Sequence, residues 1–364
     1  MKRQREDKKL AKENKQTLMQ TLHRSLAAQL LCISLWSPAP SFADIAITQS
    51  GAPINLDESL THCNSSNACI EASGLSISHN NPALWTINDD SDWTMYQAHT
   101  SSALGSSIDD HFIPTQGRNA PKIEAPDFEG VAAACRAGED CRNTPLIYLV
   151  DEQRNAIIPV DYREKKYHDD KKVAQMRGAV QRLPTTDKFC GTCRGESLTD
   201  CLNNAGNSGL EGITFSPAHN SFFVLKEKKP GLLIKISADL NIIEQVWGLD
   251  LGDSCGNNID IDYSGLSHDP SRCKTTADCE MWLVSDEAET VYLLDISDSK
   301  INNKTTLNHS SVNASQSLGH KCSEGIAYDH NTDQLYIVVD GGKGADNCGT
   351  PGNHSYLYTY HVSH

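Results

Sequence analysis

Five short motifs set an oxygen-bearing side chain immediately before a glycine at the mouth of an apolar run: EASGLSIS from Glu71, DFEGVAAA from Asp127, LEGITFSP from Leu210, DYSGLSHD from Asp262 and SEGIAYDH from Ser323. The residues in that place are Ser73, Glu129, Glu211, Ser264 and Glu324. Three carboxylates and two hydroxyls brought to one point repel each other and force up at least one carboxyl pKa unless a cation stands among them. A hard divalent ion resolves the conflict, because calcium takes 6–8 oxygen ligands, which five protein oxygens plus waters or carbonyls supply. The set contains no His or Cys, which disfavours zinc and copper. The plainer alternative is structural: a Glu or Ser opening a strand bonds backbone N–H groups of the next unit. Glu71, Asp127 and Asp262, two residues upstream, add charge around the set or end the preceding loop.

A second column follows. Behind each motif an apolar run ends in an acid, at Asp89, Glu152, Glu227, Asp286 and Asp340. One reading is turn chemistry, since Asp side chains cap the turn that follows a strand. The other is functional: Asp89 and Asp90, with Asp340 across the closure, line the mouth above the ion, where a carboxylate holds an attacking water as general base. Arg154, Lys226 and Lys228 are the nearest cations for a phosphate, and each reads as a solvated loop charge. The chain has no Gly-rich phosphate loop, GxSxG elbow or HExxH pair.

These residues need elements that repeat. The motif glycines, 74, 130, 212, 265 and 325, are spaced by 56, 82, 53 and 60 residues, and each unit carries two consecutive short strands. Units that bury their sheets only against neighbours stack, and a closed ring leaves only short, protected edges. The expected fold is all-β, a five-bladed β-propeller with loop insertions. The first strand of each blade lines the channel and the second returns to the same face, so both columns share one end. Residues 44–58 contain a short alternating strand expected to latch onto the last blade. The charged stretch 162–188 accounts for the long spacing and reads as a strand-poor excursion of mixed strand and helix. Residues 298–318 are expected to supply an outer strand with loops.

The first 43 residues read as a signal peptide. Basic residues lead into SLAAQLLCISLW, and small residues at Ser41 and Ala43 suit cleavage before Asp44; a start at Met19 would leave a more ordinary leader. The apolar run is shorter than the roughly 20 residues a membrane span needs. The mature residues 44–364 form one expected propeller domain, periplasmic or secreted from a bacterium, with no stable membrane span after cleavage. They carry 24 Lys and Arg against 44 Asp and Glu, a formal charge of −20, which repels nucleic acid and attracts cations. The expected partners are calcium and an unidentified small-molecule or protein ligand.

Cys32 leaves with the signal, and an even twelve remain, which in an exported chain read as disulfides. Cys63/Cys69, Cys135/Cys141 and Cys273/Cys279 each enclose five residues, and Cys322/Cys348 ties the last inner strand to a Gly-rich loop. Cys190, Cys193, Cys201 and Cys255 are left with undetermined pairing; a zinc site among them is the competing arrangement.

EASGLSISHNNPALWTINDDSD, DFEGVAAA, LEGITFSPAHNSFFVLKEKKPGLLIKIS and SEGIAYDHNTDQLYIVVD together resemble the SdiA-regulated, YjiK/CarP-type propeller family of exported bacterial proteins. That resemblance implies a five-bladed propeller with calcium held by Ser73, Glu129, Glu211, Ser264 and Glu324, and no settled reaction. The same ligand pattern, with the pair Asp89-Asp90, is similar to the calcium-activated nucleotidases, or soluble apyrases, although the basic residues that grip nucleotide there have no clear counterpart. A looser likeness, on the EGI repeat, is to esterase-like domains associated with phytases. Two functions follow: a binding or calcium-responsive module, or a calcium-dependent hydrolase of phosphate esters or anhydrides.

Overall fold

In the computed structural model every motif opens the innermost strand of an antiparallel blade. The structure describes residues 45–57, 70–78, 83–89, 94–99, 108–112, 127–134, 146–168, 171–176, 181–184, 197–203, 208–228, 230–251, 261–273, 279–296, 306–308, 312–341, 348 and 354–363. Strands β1 (Ala46–Gln49) and β2 (Ile54–Asn55) precede blade 1, which is β3 (Ala72–Ser78), β4 (Ala83–Asn88), β5 (Thr94–His99) and β6 (Ile108–Phe112). Blade 2 is β7 (Phe128–Ala134), β8 (Leu146–Asp151), β9 (Ala156–His168) and β10 (Lys171–Met176), with β11 (Gln181–Arg182) paired to β9. A short helix, α1 (Leu198–Asn203), leads to blade 3: β12 (Leu210–Ser216), β13 (Ser221–Lys226), β14 (Leu232–Ser237) and β15 (Ile243–Asp250). Blade 4 is β16 (Tyr263–His268), β17 (Glu280–Ser285) and β18 (Thr290–Asp295); its insertion gives β19 (Thr306–Asn308) to the edge of blade 3 before β20 (Val312–Ser317) completes it. Blade 5 is β21 (Ser323–Asp329), β22 (Gln334–Val339) and β23 (Tyr356–Ser363), and β1 pairs with β23 as its outer strand. The ring is thus latched by the segment whose alternation predicts it.

The inner strands neighbour one another in the closed order β3, β7, β12, β16, β21 and back to β3. Glycine makes that approach possible. A Cβ added at Gly74 would stand 2.7 Å from the Glu129 carbonyl oxygen, one at Gly130 2.5 Å from that of Glu211, and one at Gly265 2.9 Å from the Ile326 nitrogen. In all five blades the pairing of first and second strands slips at the motif, a β-bulge that leaves the residue before the glycine out of the ladder in blades 2 to 5 and leaves Gly74 itself out of it in blade 1.

The second strands pack on both faces, which is why they read as continuous apolar runs; β4, β8, β13 and β17 are buried throughout. Each sets one aromatic residue against a small residue of its inner strand: Trp85 opposite Ser76, Tyr148 opposite Ala132, Phe223 opposite Thr214, Trp282 opposite Ser267 and Tyr336 opposite Ala327. Setting large against small is how facing positions of a close-packed layer interdigitate. Three of the small residues also tie blades together, as Ser76, Thr214 and Ser267 accept the N–H groups of Ala133, His268 and Tyr328 at 2.9, 3.1 and 3.0 Å.

The expectation of a strand-poor excursion after residue 162 is corrected. β9 runs on to His168 and turns into β10, which pairs in parallel with β6 across the outer edges of blades 1 and 2. The segment is rich in charged residues, but its backbone groups are taken up by neighbouring strands, so charge density misled where the ladder decides. Two disulfides close loops, Cys273–Cys279 beside blade 4 and Cys322–Cys348 at the start of blade 5. Cys201 is also disulfide-bonded, to a residue outside those described. Cys63, Cys69, Cys135, Cys141, Cys190, Cys193 and Cys255, and the first 43 residues, lie outside the described residues.

Candidate cation centre

The bulges bring the first column to one end of the ring. Ser73, Glu129, Glu211 and Glu324 line a cavity of about 210 Å³, together with Glu71, Ala72, Asp89, Glu152 and Asp340. Seven of these nine wall residues are carboxylates, and none is Lys, Arg or His. Ser264 holds the equivalent place in β16, where its hydroxyl donates to the Ser323 carbonyl of blade 5. Ser73 does the same across the blade 1–2 seam, with Glu129 O at 2.8 Å and Glu129 Oε2 at 2.9 Å as its acceptors. A hydroxyl that donates to a carbonyl keeps its lone pairs for a cation. The bonding of next-blade N–H groups, read above as the structural alternative for this column, is made three residues further on by Ser76, Thr214 and Ser267.

The wall is electrostatically costly as it stands. Burial pushes the carboxyls of Glu129, Glu211 and Glu324 well above the ordinary glutamate value, and their acidic neighbours push further: Asp89 and Glu324 on Glu129, Glu129 and Glu152 on Glu211, Asp286 and Asp340 on Glu324. Asp89 is raised to about 6 by burial, against the pull of its hydrogen bond with Glu129 and with help from Asp127, Glu71 and Asp340. Buried carboxyls that all resist ionisation are a cost to the fold, and a doubly charged ion removes it by making the charged form the favoured one. The donors are all hard oxygen, the class calcium selects.

The second column sits at the same end, because the N–H groups of Asp89, Glu152, Glu227, Asp286 and Asp340 donate to the carbonyls of Glu71, Asp127, Gly209, Asp262 and Cys322 at 2.9–3.1 Å. Where the following turn is fully described, after Glu152 and Asp286, these side chains do not cap it. Asp151 and Ser285, one place earlier, take that role by accepting the N–H groups of Arg154 and Ala288. The acids instead face the next blade: Glu152 Oε1 accepts the Gly209 N–H at 2.7 Å, and Asp286 accepts that of Cys322. Asp89 and Asp340 both stand in the cavity wall; Asp90 lies outside the described residues.

The three cations read as solvated loop charges are all engaged. Lys226 is fully buried, its Nζ donating to the Ser208 carbonyl at 2.7 Å and to that of Lys228. Lys228 bridges Glu227 at 2.6 Å and Asp262 at 2.7 Å, and Arg154 holds Asp151 at 2.7 Å. Burial works against the charge of Lys228, but those two carboxylates outweigh it and raise its pKa. The apolar runs flanking these residues hid their burial, since a Lys at a strand end looks the same in sequence whether it faces water or carbonyls.

The chain is similar to known propellers. Residues 179–341 match the SdiA-regulated family, which is the resemblance the motifs predict. No curated protein sequence matches the chain. Among solved structures, Myxococcus xanthus glutaminyl cyclase superposes with a TM-score of 0.45 at 10% identity over 88% of this chain and 97% of that one. A luciferin-regenerating enzyme gives 0.43 at 10% identity over 87% and 95%. A Xanthomonas campestris gluconolactonase gives 0.37 at 8% identity over 87% and 98%.

Proposed function

We propose, from a propeller whose residues 179–341 match the SdiA-regulated family, that this protein is an exported calcium-binding module, binding a ligand or responding to calcium, with its ion held by Ser73, Glu129, Glu211, Ser264 and Glu324. The observation that carries the reading is the convergence of three desolvated glutamates in a wall without a single basic side chain. The cavity supports a small occupant. At about 210 Å³ it has room for an ion and a few waters, below the roughly 300–1,000 Å³ of pockets that hold drug-sized ligands. Export is supported by the disulfides, by the basic-then-apolar leader and by the acidic surface of the mature chain. Among the described residues no helix is long and apolar enough to cross a membrane.

When bound, calcium would neutralise the wall and fix the five blades around one point. Ser73 and Ser264, already held by carbonyls of the next blade, would present their oxygens, and the glutamates would give up their protons. The test is a melt of the mature, oxidised protein with calcium and with chelator. Calcium in hundredfold excess over its dissociation constant adds about 2.7 kcal/mol, and Glu211→Gln is expected to abolish that gain. An unchanged melt under both treatments would count against the site.

One observation favours a second reading, calcium-dependent hydrolysis of phosphate esters or anhydrides: Asp89 stands in the wall with a carboxyl raised to about 6, close to what a general base needs at neutral pH. Turnover of nucleoside diphosphates, phytate or p-nitrophenyl esters that Asp89→Asn abolishes while calcium binding survives would establish it in place of the module.

A further inference from the structure

We infer that the propeller has a second cation site, off the axis between blades 2 and 3, formed by Glu152, Glu211 and Glu227, with Glu211 shared between it and the axial ion. The inference rests on the axial reading above and extends it. Carboxylate oxygens of these three residues all lie within 4.8 Å of one another. Three oxygens so placed share a point within about 2.8 Å of each, so shifts of a few tenths of an ångström bring all three to the roughly 2.3–2.6 Å of a calcium ligand. All three side chains are buried, Glu152 at 6%, Glu211 at 8% and Glu227 at 7% exposure.

An independent observation points to a ligand. Glu227 is held through Oε1 by Lys228 at 2.6 Å, while its Oε2 is buried with no hydrogen-bond partner. Leaving a carboxylate oxygen dry and unpaired is costly, and a cation beside Glu152 and Glu211 would satisfy it. Glu152 is also held in place, one oxygen fixed by the Gly209 N–H at 2.7 Å. The local charge balance agrees. Lys228 offsets one of the pair Glu227 and Asp262, which leaves the other of that pair, Glu152 and Glu211 as three carboxylates around a divalent ion. The anchoring is also local to this seam, because Gly209 opens blade 3, Glu152 ends the second strand of blade 2, and Glu227 ends that of blade 3. A second ion here would clamp blade 2 to blade 3 beside the 82-residue spacing, the widest interval between motifs.

The experiment is calcium stoichiometry of the mature, oxidised protein by calorimetric titration and native mass spectrometry, on wild type, Glu152→Gln and Glu324→Gln, with circular dichroism confirming that each variant is folded. Glu152 is outside the axial set and Glu324 outside the off-axis set, so the two variants separate the sites. Two ions in wild type, one in each variant, is the expected result. One ion in wild type, kept by Glu152→Gln and lost by Glu324→Gln, overturns the second site and leaves the axial reading standing. One ion kept by Glu324→Gln and lost by Glu152→Gln supports the off-axis site and sinks the axial one. No ion in wild type removes both. Should either variant fail to fold, anomalous scattering from calcium-soaked crystals of wild type decides the matter: a peak among Glu152, Glu211 and Glu227 supports the site, and its absence beside an axial peak refutes it.

Discussion

Protons and calcium compete for the same carboxylates, so pH is expected to move the two forms of this protein in opposite directions. Without the ion, burial holds Asp89 at about 6, Glu152 at about 7 and Glu227 at about 8, with Glu129, Glu211 and Glu324 also raised well above their usual value. In the unfolded chain such groups titrate near about 4. Between those limits the native state therefore binds more protons than the unfolded one, and stability falls as pH rises from about 4 to about 8. Calcium binding needs the ionised wall and strengthens over the same range. A group titrating at about 7 goes from nine-tenths ionised at pH 8 to one-tenth at pH 6, so each such proton displaced weakens calcium about tenfold, or about 1.4 kcal/mol.

The magnitudes are measurable. Calcium fixed at a hundredfold excess at pH 8 adds about 2.7 kcal/mol, which at roughly 2 °C per kcal/mol for a domain of this size raises the melting temperature by about 5 °C. The same calcium at pH 6 is only tenfold in excess, adds about 1.4 kcal/mol, and gives about 3 °C or less. Scanning calorimetry at pH 6 and pH 8, in calcium-stripped and calcium-containing buffer, reads all four values. The stripped protein should melt lower at pH 8 than at pH 6, and calcium should narrow or reverse that order. A stripped protein that melts higher at pH 8, with a calcium gain independent of pH, would refute the idea that desolvated carboxyls define this site.

Two further outcomes follow from the ring itself. Gly130→Ala places a Cβ 2.5 Å from the Glu211 carbonyl oxygen, a backbone clash that cannot be relieved by a rotamer; a loss of about 1–3 kcal/mol in the denaturation midpoint is expected, with the calcium gain reduced because the blade 2–3 seam opens. Replacing both Cys322 and Cys348 by Ser removes a link across a sequence separation of 26, worth about 3.5 kcal/mol from loop closure; a melt unchanged from wild type would show that the loop is held by other contacts.

Much of this architecture was legible because repetition exposes it. Glu129 before Gly130 means little alone, but the same pair of places at Ser73-Gly74, Glu211-Gly212, Ser264-Gly265 and Glu324-Gly325 reveals a ring, and the structure gives the reason: the glycine lets backbones touch, and a bulge falls at that pair in every blade. The aromatic opposite a small residue, as Trp282 opposite Ser267, is repeated just as faithfully and was readable by the same alignment. Non-repeating features were not legible. The sequence of the β9–β10 hairpin is rich in charge, and only its pairing with β6 tells that it is strand.

The second column shows where such reading stops. Sequence places an acid at the end of every second strand, and the backbone bond from each of them to the inner strand is indeed the same five times. Their side chains nonetheless part company: Glu152 and Asp286 hold the next blade's N–H groups, Asp89 and Asp340 face the cavity, and Glu227 is divided between Lys228 and a dry, unsatisfied oxygen. What differs is the first residue of the following blade. Gly209 and Cys322 offer a bare N–H within reach, whereas Asp262 offers another carboxylate and brings Lys228 with it. The role of an acid at this place is therefore set by its neighbour across the seam, 36 residues away for Asp286 and 57 for Glu152, which no local motif records.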